Sequence, residues 1–368
     1  MKYILHYVGN MNRGGMENVI MNLYRTIDKS EFQFHFAVHG NEKGDYEDEI
    51  KSLGGEIIRF PYFRKNPLLY KKTWDEFWKK NYDFYSFFHY HTNSLANIVA
   101  IKQARKNGVQ NIIIHSHSTY ANKGKLQNIH NIIHKRNQKY VNKSEIICLA
   151  VTKEAGNWLF GENNNRVKII DNGIDYEEFK PDKMLGLEIR KKLEIDEKSI
   201  VIGHVGNFMK VKNHEFLIDI FRVLHSLHDK SYLVLLGDGI MKEQILKKAE
   251  FYNLSENVIF LGNVSNVGNY LNCMDVFIFP SLYEGLGLSV VEAQVNHLPV
   301  LASETIPIAA KISEKFYTLS LNQDESTWAK KAIEIIDKDR FKKNIIIDNN
   351  FDISKTINEL VEIYNNFD

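Results

Sequence analysis

Short runs of apolar residues alternate along the whole chain with segments in which apolar residues recur at helical spacing. This alternation is typical of parallel sheets whose strands are connected by helices. It occurs twice, so we expect two doubly wound α/β domains. In the first half the pattern predicts strands at residues 3–8, 32–39, 56–60, 84–91, 111–115 and 146–151. In the second half it predicts strands at residues 200–205, 232–236, 258–261, 276–280, 300–302 and 316–321.

The join between the domains is predicted near the turn Asn172-Gly173-Ile174-Asp175. Asn-Gly is a strong turn signal, and Pro181 follows shortly after it. We therefore place the first domain at residues 1–180 and the second at residues 181–351. The length of 368 residues suits two domains of ordinary size.

Composition excludes several other classes of protein. The hydrophobic fraction of 44% and the charged fraction of 25% are those of an average globular protein. No apolar run approaches the length of a membrane span or the core of a signal peptide, so we expect a cytoplasmic protein. Cys148 and Cys273 have no metal-ligand spacing and are predicted to be buried free thiols.

Charge is distributed unevenly along the chain. Residues 1–143 carry 22 Lys and Arg against 12 Asp and Glu, whereas the remainder carries 25 against 34. Between Phe84 and Ser144 there are nine Lys or Arg and no acidic residue. This pattern indicates either an anionic partner or solvated helix faces. No nucleic-acid docking motif accompanies it, which disfavours a nucleic-acid binder.

One segment of this basic half favours a lipid surface. Residues 64–80 interleave six Lys and Arg with Tyr70, Trp74, Phe77 and Trp78. Cations mixed with aromatic residues suit a helix that lies on an anionic membrane.

The loop after the predicted strand at residues 276–280 carries the richest chemistry. Ligands of open parallel sheets bind beyond the carboxyl ends of the strands. Here two glycines lie between Glu284 and Glu292, and Ser289 is predicted to cap the following helix, whose N-terminus would face a diphosphate. Glu284 could bind sugar hydroxyls and Glu292 ribose hydroxyls. Alternatively, Ser289 and Glu292 form a capping box.

These residues carry a family resemblance. Glu284-Gly285-Leu286-Gly287-Leu288, with Glu292-Ala293 and the later Leu298-Pro299-Val300-Leu301-Ala302-Ser303, resembles the donor-site signature of the family 4 retaining glycosyltransferases, also called group 1. Other blocks also resemble that family: Gly14-Gly15-Met16-Glu17, Asn172-Gly173-Ile174-Asp175, Leu235-Leu236-Gly237-Asp238-Gly239 and Phe260-Leu261-Gly262. The resemblance implies the GT-B fold: two Rossmann-like domains facing a cleft, with a C-terminal helix, residues 352–368, that crosses back to the first domain.

The resemblance also implies site residues. Catalytic roles fall to Glu284, Lys212 and His91, and His91 and His117 are predicted on loops that face the sugar or the acceptor. Asn207 stands where the family has an arginine, so one cation is missing from the pyrophosphate site, although Lys210 is close in sequence. The implied donor site comprises Gly15, Asn207, Lys212, Gly237, Leu261, Glu284, Gly285, Leu286, Gly287, Leu288 and Glu292.

The implied activity is that of a metal-independent retaining hexosyltransferase. No Asp-x-Asp follows a predicted strand end, since Asp337-Lys338-Asp339 lies in a charged helical stretch. The expected donor is a UDP-sugar, with no further cofactor. The expected acceptor is a glycan or a polyprenyl-diphosphate-linked oligosaccharide of capsule or exopolysaccharide synthesis, at the inner face of the plasma membrane. A nucleotide-sugar 2-epimerase and a non-catalytic nucleotide-binding homologue remain alternatives.

Overall fold

The computed structural model describes residues 1–118, 127–162, 164–339 and 347–366. The chain forms two compact units. The first comprises Met1–Ile174 together with Asp352–Asp368, and the second comprises Asp175–Phe351. The predicted boundary after residue 180 therefore lies six residues downstream of the observed division. The intervening segment belongs to the second unit because the carbonyl of Phe179 accepts a hydrogen bond from Asn296 there.

The first unit is built on a parallel sheet of seven strands, in the order β3-β2-β1-β4-β5-β6-β7. The strands are β1 (Lys2–Tyr7), β2 (Phe32–His39), β3 (Glu56–Phe60), β4 (Phe87–Thr92), β5 (Ile112–Ser116), β6 (Ile147–Ala150) and β7 (Val167–Ile169). The connecting helices are α1 (Gly15–Thr26), α2 (Glu47–Ser52), α3 (Pro67–Asn81), α4 (Val99–Lys106), α5 (Gln127–Lys143) and α6 (Lys153–Phe160). All six predicted strands are present, and β7 was not predicted.

The second unit repeats this design with six parallel strands, in the order β10-β9-β8-β11-β12-β13. The strands are β8 (Ile200–Val205), β9 (Ser231–Leu236), β10 (Val258–Gly262), β11 (Val276–Phe279), β12 (Val300–Ser303) and β13 (Phe316–Leu319). The helices are α7 (Lys183–Lys192), α8 (His214–Leu227), α9 (Lys242–Phe251), α10 (Val267–Leu271), α11 (Leu288–Val295) and α12 (Glu325–Asp339). The predicted doubly wound organisation is therefore confirmed in each half.

The last helix, α13 (Ile353–Asn365), completes the first unit. Its Tyr364 is fully buried against the rings of Phe32 and Phe87, and its hydroxyl shares a hydrogen bond of 2.8 Å with Nδ1 of His89. At the start of the helix Gly173 is required for close packing, since a Cβ there would lie 2.7 Å from Cα of Ile353.

The aromatic residues of α3 do not face solvent. Tyr70, Trp74 and Trp78 are all fully buried, and Trp74 stacks on Phe60 with 3.6 Å between ring centroids. Their spacing of four residues places them on one side of the helix, which packs on the sheet. The prediction that these aromatics meet a membrane is therefore wrong, because they form the core of the first unit.

Cys148 and Cys273 are buried free thiols, as predicted. Burial raises the pKa of Cys148 to about 11 and that of Cys273 to about 12, so both remain protonated at neutral pH. Within the described residues, none of the helices has both the length and the apolar character needed to cross a membrane.

Candidate functional site

The loops at the carboxyl edge of the second sheet are held together by backbone contacts. The amide of Gly237, after β9, donates to the carbonyl of Gly262 at the end of β10. The amide of Leu282, after β11, donates to the carbonyl of Val211, after β8. β8 and β11 are adjacent, and the strand order reverses between them. Ligands of open parallel sheets bind at such a point.

Lys212 and Glu284 meet at this point. Lys212 ends a short 3-10 helix after β8, and Glu284 lies in the loop after β11. Their Nζ and Oε1 atoms are 2.7 Å apart, and the side chains are only 20% and 13% exposed. Nζ of Lys212 also lies 4.9 Å from the ring centroid of Phe279. Two of the predicted site residues, 72 positions apart in sequence, are thus brought into one partly buried ion pair.

Glu292 lies on α11, one turn inside the helix, and is half-buried. Burial, with the nearby carboxylate of Glu178, raises the pKa of Glu292 to about 7, while Lys212 acts in the opposite direction. The Glu292 carboxyl group therefore changes between its protonated and ionised forms near neutral pH. Sequence reasoning had assigned no part to Glu178.

The start of α11 differs from the prediction. The N-cap is Gly287, with φ of +84°, and no side chain caps the helix there. Ser289 occupies the second helical position, so both the predicted Ser289 cap and the Ser289–Glu292 capping box are wrong. A capping box requires its serine at the N-cap. The helix begins at Leu288. The amide of Val290 donates to the carbonyl of Gly287, whereas the amides of Leu288 and Ser289 have no partner within the helix and face a ligand or solvent.

The loop before α11 has one residue with open space around it, Gly285, and one buried residue, Leu286. A Cβ at Gly285 would meet nothing within 4 Å, whereas Leu286 is buried. The loop is therefore fixed by Leu286 and open at Gly285. This arrangement allows a ligand to approach the backbone closely.

Asn207 and Gly237 lie beside the same edge. Gly237 has φ of +129°, and a Cβ on it would lie 2.3 Å from the carbonyl oxygen of Gly206. Asn207 is exposed next to this contact, and Lys210 is also exposed. Leu261 is half-buried at the end of β10, where the strand register shifts. Sequence reasoning missed Gly206, although two glycines after neighbouring strand ends are a signal of close backbone approach.

The predicted residues of the first unit have different surroundings. Gly15 is exposed and is the first residue of α1. His91 lies within β4 and is 3% exposed, so its predicted position on a loop is wrong. The strand continues to Thr92 because that residue still pairs with β5. His117 follows β5 and is half-buried.

Both ring nitrogens of His91 are already engaged. Nε2 shares a hydrogen bond of 2.8 Å with Nδ1 of His6, and Nδ1 shares one of 2.8 Å with Nε2 of His117. Burial and the neighbouring histidines hold the pKa of His91 well below its ordinary value, and burial lowers the pKa of His117 to about 3. Both rings are therefore neutral at physiological pH.

Comparison with known proteins gives the relationships of the chain. Residues 13–178 match the family described as Glycosyltransferase Family 4, and residues 187–350 match Glycosyl transferases group 1. The putative glycosyltransferase EpsF of Bacillus subtilis (strain 168) is 34% identical, with 99% of this chain and 96% of EpsF covered. The chain belongs to the family 4 glycosyltransferases. Neither the epimerase nor the non-catalytic alternative is favoured by these matches.

Further relatives extend the similarity of this family 4 glycosyltransferase. The capsular polysaccharide biosynthesis glycosyltransferase CapH of Staphylococcus aureus is 26% identical, with 98% of each chain covered. Among solved structures, Anabaena Alr3699/HepE in complex with UDP superimposes with a TM-score of 0.77 at 16% identity, over 99% of both chains. That structural likeness shows that the fold is GT-B.

Proposed function

We propose that this glycosyltransferase moves a sugar from a UDP-sugar to a glycan or polyprenyl-diphosphate-linked oligosaccharide, without a metal and with retention of anomeric configuration. The single observation that carries the proposal is the ion pair between Lys212 and Glu284 at the reversal point of the second sheet. An ammonium group and a carboxylate side by side match the two ends of such a donor, the anionic diphosphate and the sugar hydroxyls.

The charges favour departure of the nucleotide diphosphate. As the bond between the sugar C1 and the diphosphate oxygen breaks, negative charge grows on that oxygen. Lys212 and the free amides at the start of α11 would stabilise this charge, in the role that a metal ion has in other transferases. The proposal of metal independence rests on these residues.

Retention is proposed through attack on the front face. The acceptor hydroxyl forms its bond to C1 on the side from which the diphosphate leaves, and its proton passes to the departing diphosphate oxygen. Glu284 would accept hydrogen bonds from donor hydroxyls and hold C1 in place, while Glu292 would accept those of the ribose. The family resemblance further assigns Gly15 to the donor phosphate, and His91 and His117 to the sugar or acceptor. Those three residues lie in the first unit.

The choice of donor and pathway draws on relatives. UDP is the ligand in the Anabaena Alr3699/HepE complex, and CapH carries the name of a capsular polysaccharide enzyme. We extend both to this chain as a proposal for the nucleotide and for the pathway of capsule or exopolysaccharide synthesis.

A lipid-linked acceptor also calls for a membrane surface, which we propose to be anionic. At the start of α3, exposed Leu68 and Leu69 lie near exposed Arg64 and Lys65. On α5, isoleucines at helical spacing share the exposed surface with cations. Those residues of α5 are Ile129, Ile132, Ile133, Lys135, Arg136 and Lys139. Apolar side chains rimmed by cations suit shallow insertion among anionic headgroups. Lys123 and Lys125 of the basic stretch lie outside the described residues.

Thermal unfolding tests donor binding without an acceptor. The protein in EDTA should gain stability with UDP and with one or more UDP-sugars, and gain less with GDP or ADP. A ligand at a hundred times its Kd adds about 2.7 kcal/mol. The gain with UDP should be lost in Lys212→Ala, and the additional gain with a UDP-sugar should be lost in Glu284→Gln. Both gains should be kept in Lys247→Ala, which alters an exposed ion pair with Glu243 on α9. Equal shifts in all three variants would contradict the assigned site.

Two further measurements test the finer points. Proton NMR of the product of a UDP-sugar reaction in EDTA should show the donor's anomeric configuration; an inverted product would overturn the proposed mechanism. Flotation with vesicles containing anionic lipid should carry the protein upward and fail for Leu68→Glu with Ile132→Glu. Ile240→Glu, at an exposed isoleucine of the second unit, is the matched control.

A further inference from the structure

Five histidines of the first unit lie in contact at the carboxyl ends of three neighbouring strands. This histidine cluster consists of His6 on β1, His89 and His91 on β4, His115 on β5 and His117 just after it. Residues two apart on a strand share a face, so His89 and His91 point the same way. Strand register then sets His6 beside His89, and His91 beside His115.

Several nitrogens of the histidine cluster lack a hydrogen-bond partner. Among the described residues, Nε2 of His6, Nε2 of His115 and Nδ1 of His117 are buried without one. Buried polar atoms are almost always satisfied, and such exceptions call for a physical explanation. An unpartnered lone pair on a buried imidazole can bind a transition-metal ion.

His91, His115 and His117 have the geometry of a metal site. Each offers one ring nitrogen, and these three atoms lie within 4.8 Å of one another. Two nitrogens on a tetrahedral Zn²⁺ ion are about 3.4 Å apart, as follows from Zn–N bonds of about 2.05 Å. Small side-chain rotations would bring the three atoms to that spacing. His91 would exchange one of its hydrogen bonds to a neighbouring histidine for the metal bond.

The surroundings of His115 support ligation. Its Nδ1 lies 3.3 Å from Nε2 of His89, whose Nδ1 shares a hydrogen bond with the hydroxyl of Tyr364. A ligating histidine is oriented by a hydrogen bond through its other ring nitrogen.

His117 is the half-buried member of the three, so this set lies nearer to solvent than a set of fully buried histidines. His6, His89 and His91 also bring ring nitrogens within 4.8 Å of one another, but all three are buried. Access therefore favours the set that contains His117.

We propose that His91, His115 and His117 bind one divalent first-row transition ion of the kind that prefers imidazole, such as Zn²⁺. The bound ion would cross-link β4 to the segment after β5 and stabilise this edge of the first sheet. The three histidines lie in the first unit, whereas the ion pair of Lys212 and Glu284 lies in the second.

Metal titration of the full chain, free of any polyhistidine tag and stripped with EDTA before dialysis, tests the site. Titration with Co²⁺ should give visible absorption bands that saturate at one equivalent and disappear when Zn²⁺ is added. Zn²⁺ should also raise the Tm. His115→Gln and His117→Gln should each weaken Zn²⁺ binding at least tenfold.

Two control variants separate this site from other histidines. His228→Gln removes an exposed histidine. His35→Gln removes a buried histidine of β2 that lies outside the histidine cluster and shares a hydrogen bond with the hydroxyl of Tyr85. Both should bind one equivalent of Zn²⁺ as the unchanged protein does. Circular dichroism verifies folding, and His117→Gln, at a half-buried position, keeps the test available if His115→Gln does not fold. The proposal is overturned if the unchanged protein does not saturate at one equivalent, or if folded His117→Gln binds Zn²⁺ equally well.

Discussion

Nζ of Lys212 lies 2.7 Å from Oε1 of Glu284, across the point at which the strand order of the second sheet reverses. The ion pair places a cation and a carboxylate at a ligand-binding edge of the sheet. A bound donor could replace the single Lys212–Glu284 contact with two, one from its diphosphate to Lys212 and one from its hydroxyls to Glu284.

Removing either partner should slow sugar transfer strongly. We expect Lys212→Ala to lower kcat/KM at least hundredfold, because a preorganised charge on the leaving group is typically worth a factor of about 10² to 10³. Glu284→Gln should have an effect of similar size through loss of donor orientation. UDP release measured with the preferred donor and acceptor provides the test. Lys247→Ala should react at the ordinary rate, and ordinary rates in Lys212→Ala would refute the role given to that lysine.

Nucleotide affinity should depend on the protonation of Glu292. Burial, with Glu178, raises its pKa to about 7, whereas Lys212 favours the charged form. The ionised carboxylate can accept a ribose hydroxyl hydrogen bond on each of its oxygens, whereas the protonated group has turned one oxygen into a donor. UDP should therefore bind up to about tenfold more tightly at pH 8 than at pH 6. Calorimetry at several pH values measures this. UDP itself titrates in this range, so the same series with Glu292→Gln isolates its contribution; identical curves would contradict the prediction.

The same shift has a consequence for stability. The folded protein holds the Glu292 proton more tightly than the unfolded chain, whose glutamate has a pKa of about 4.5. The resulting stabilisation is complete below pH 4.5 and is lost as the pH rises to about 7. Between pH 5 and 8, Glu292→Gln should therefore show a weaker fall in Tm than the unchanged protein. Parallel Tm curves for the two proteins would show that this carboxyl group titrates normally.

Restoring the missing cation should strengthen donor binding. Asn207 is exposed beside Gly237, where a longer side chain has room. We expect Asn207→Arg to tighten UDP binding about tenfold, since one hydrogen bond between charged groups contributes roughly 1.5 kcal/mol or more. Asn207→Gln, which adds length without charge, should leave the Kd nearly unchanged. Calorimetry distinguishes the two; equal effects from Arg and Gln would mean that charge is not what this position lacks.

A pair of glycine variants tests the close approach of two loops. Gly237 and Gly262 both have positive φ, but a Cβ would meet the Gly206 carbonyl only at Gly237. Gly262→Ala should cost about 1 kcal/mol through backbone strain alone. Gly237→Ala should cost more, about 2 to 4 kcal/mol, and should also weaken UDP binding by moving the Gly206 loop. Urea unfolding and UDP calorimetry measure both effects. Equal losses would show that the loops can separate freely.

Strand positions were predictable because buried parallel strands are continuous apolar runs. β2, β3 and β8 have the predicted bounds. β7 was missed because it has only three residues, two of them exposed at the sheet edge, and so carries little apolar signal. The capping box was expected from the spacing of Ser289 and Glu292. The left-handed backbone of Gly287 makes that residue the N-cap, so Ser289 lies inside the helix and cannot cap it.

The surroundings of the histidines and tryptophans could be predicted less well. The pairs His89-x-His91 and His115-x-His117 carried a strand-face signal, but only the strand order reveals that His6 joins them. Trp74 and Trp78 have the spacing of a helix core, and their neighbouring lysines suggested a lipid surface instead. The position of Tyr364 beside His89 depends on a contact across 275 residues, which local patterns do not encode.

That last contact also sets an order of events during synthesis. The second unit is one continuous stretch, so all of its residues are synthesised before Tyr364 is reached. The first unit must wait for Tyr364 to fill the space beside Phe32 and Phe87. Until then its sheet has an open apolar face, and the polypeptide translated first is completed last.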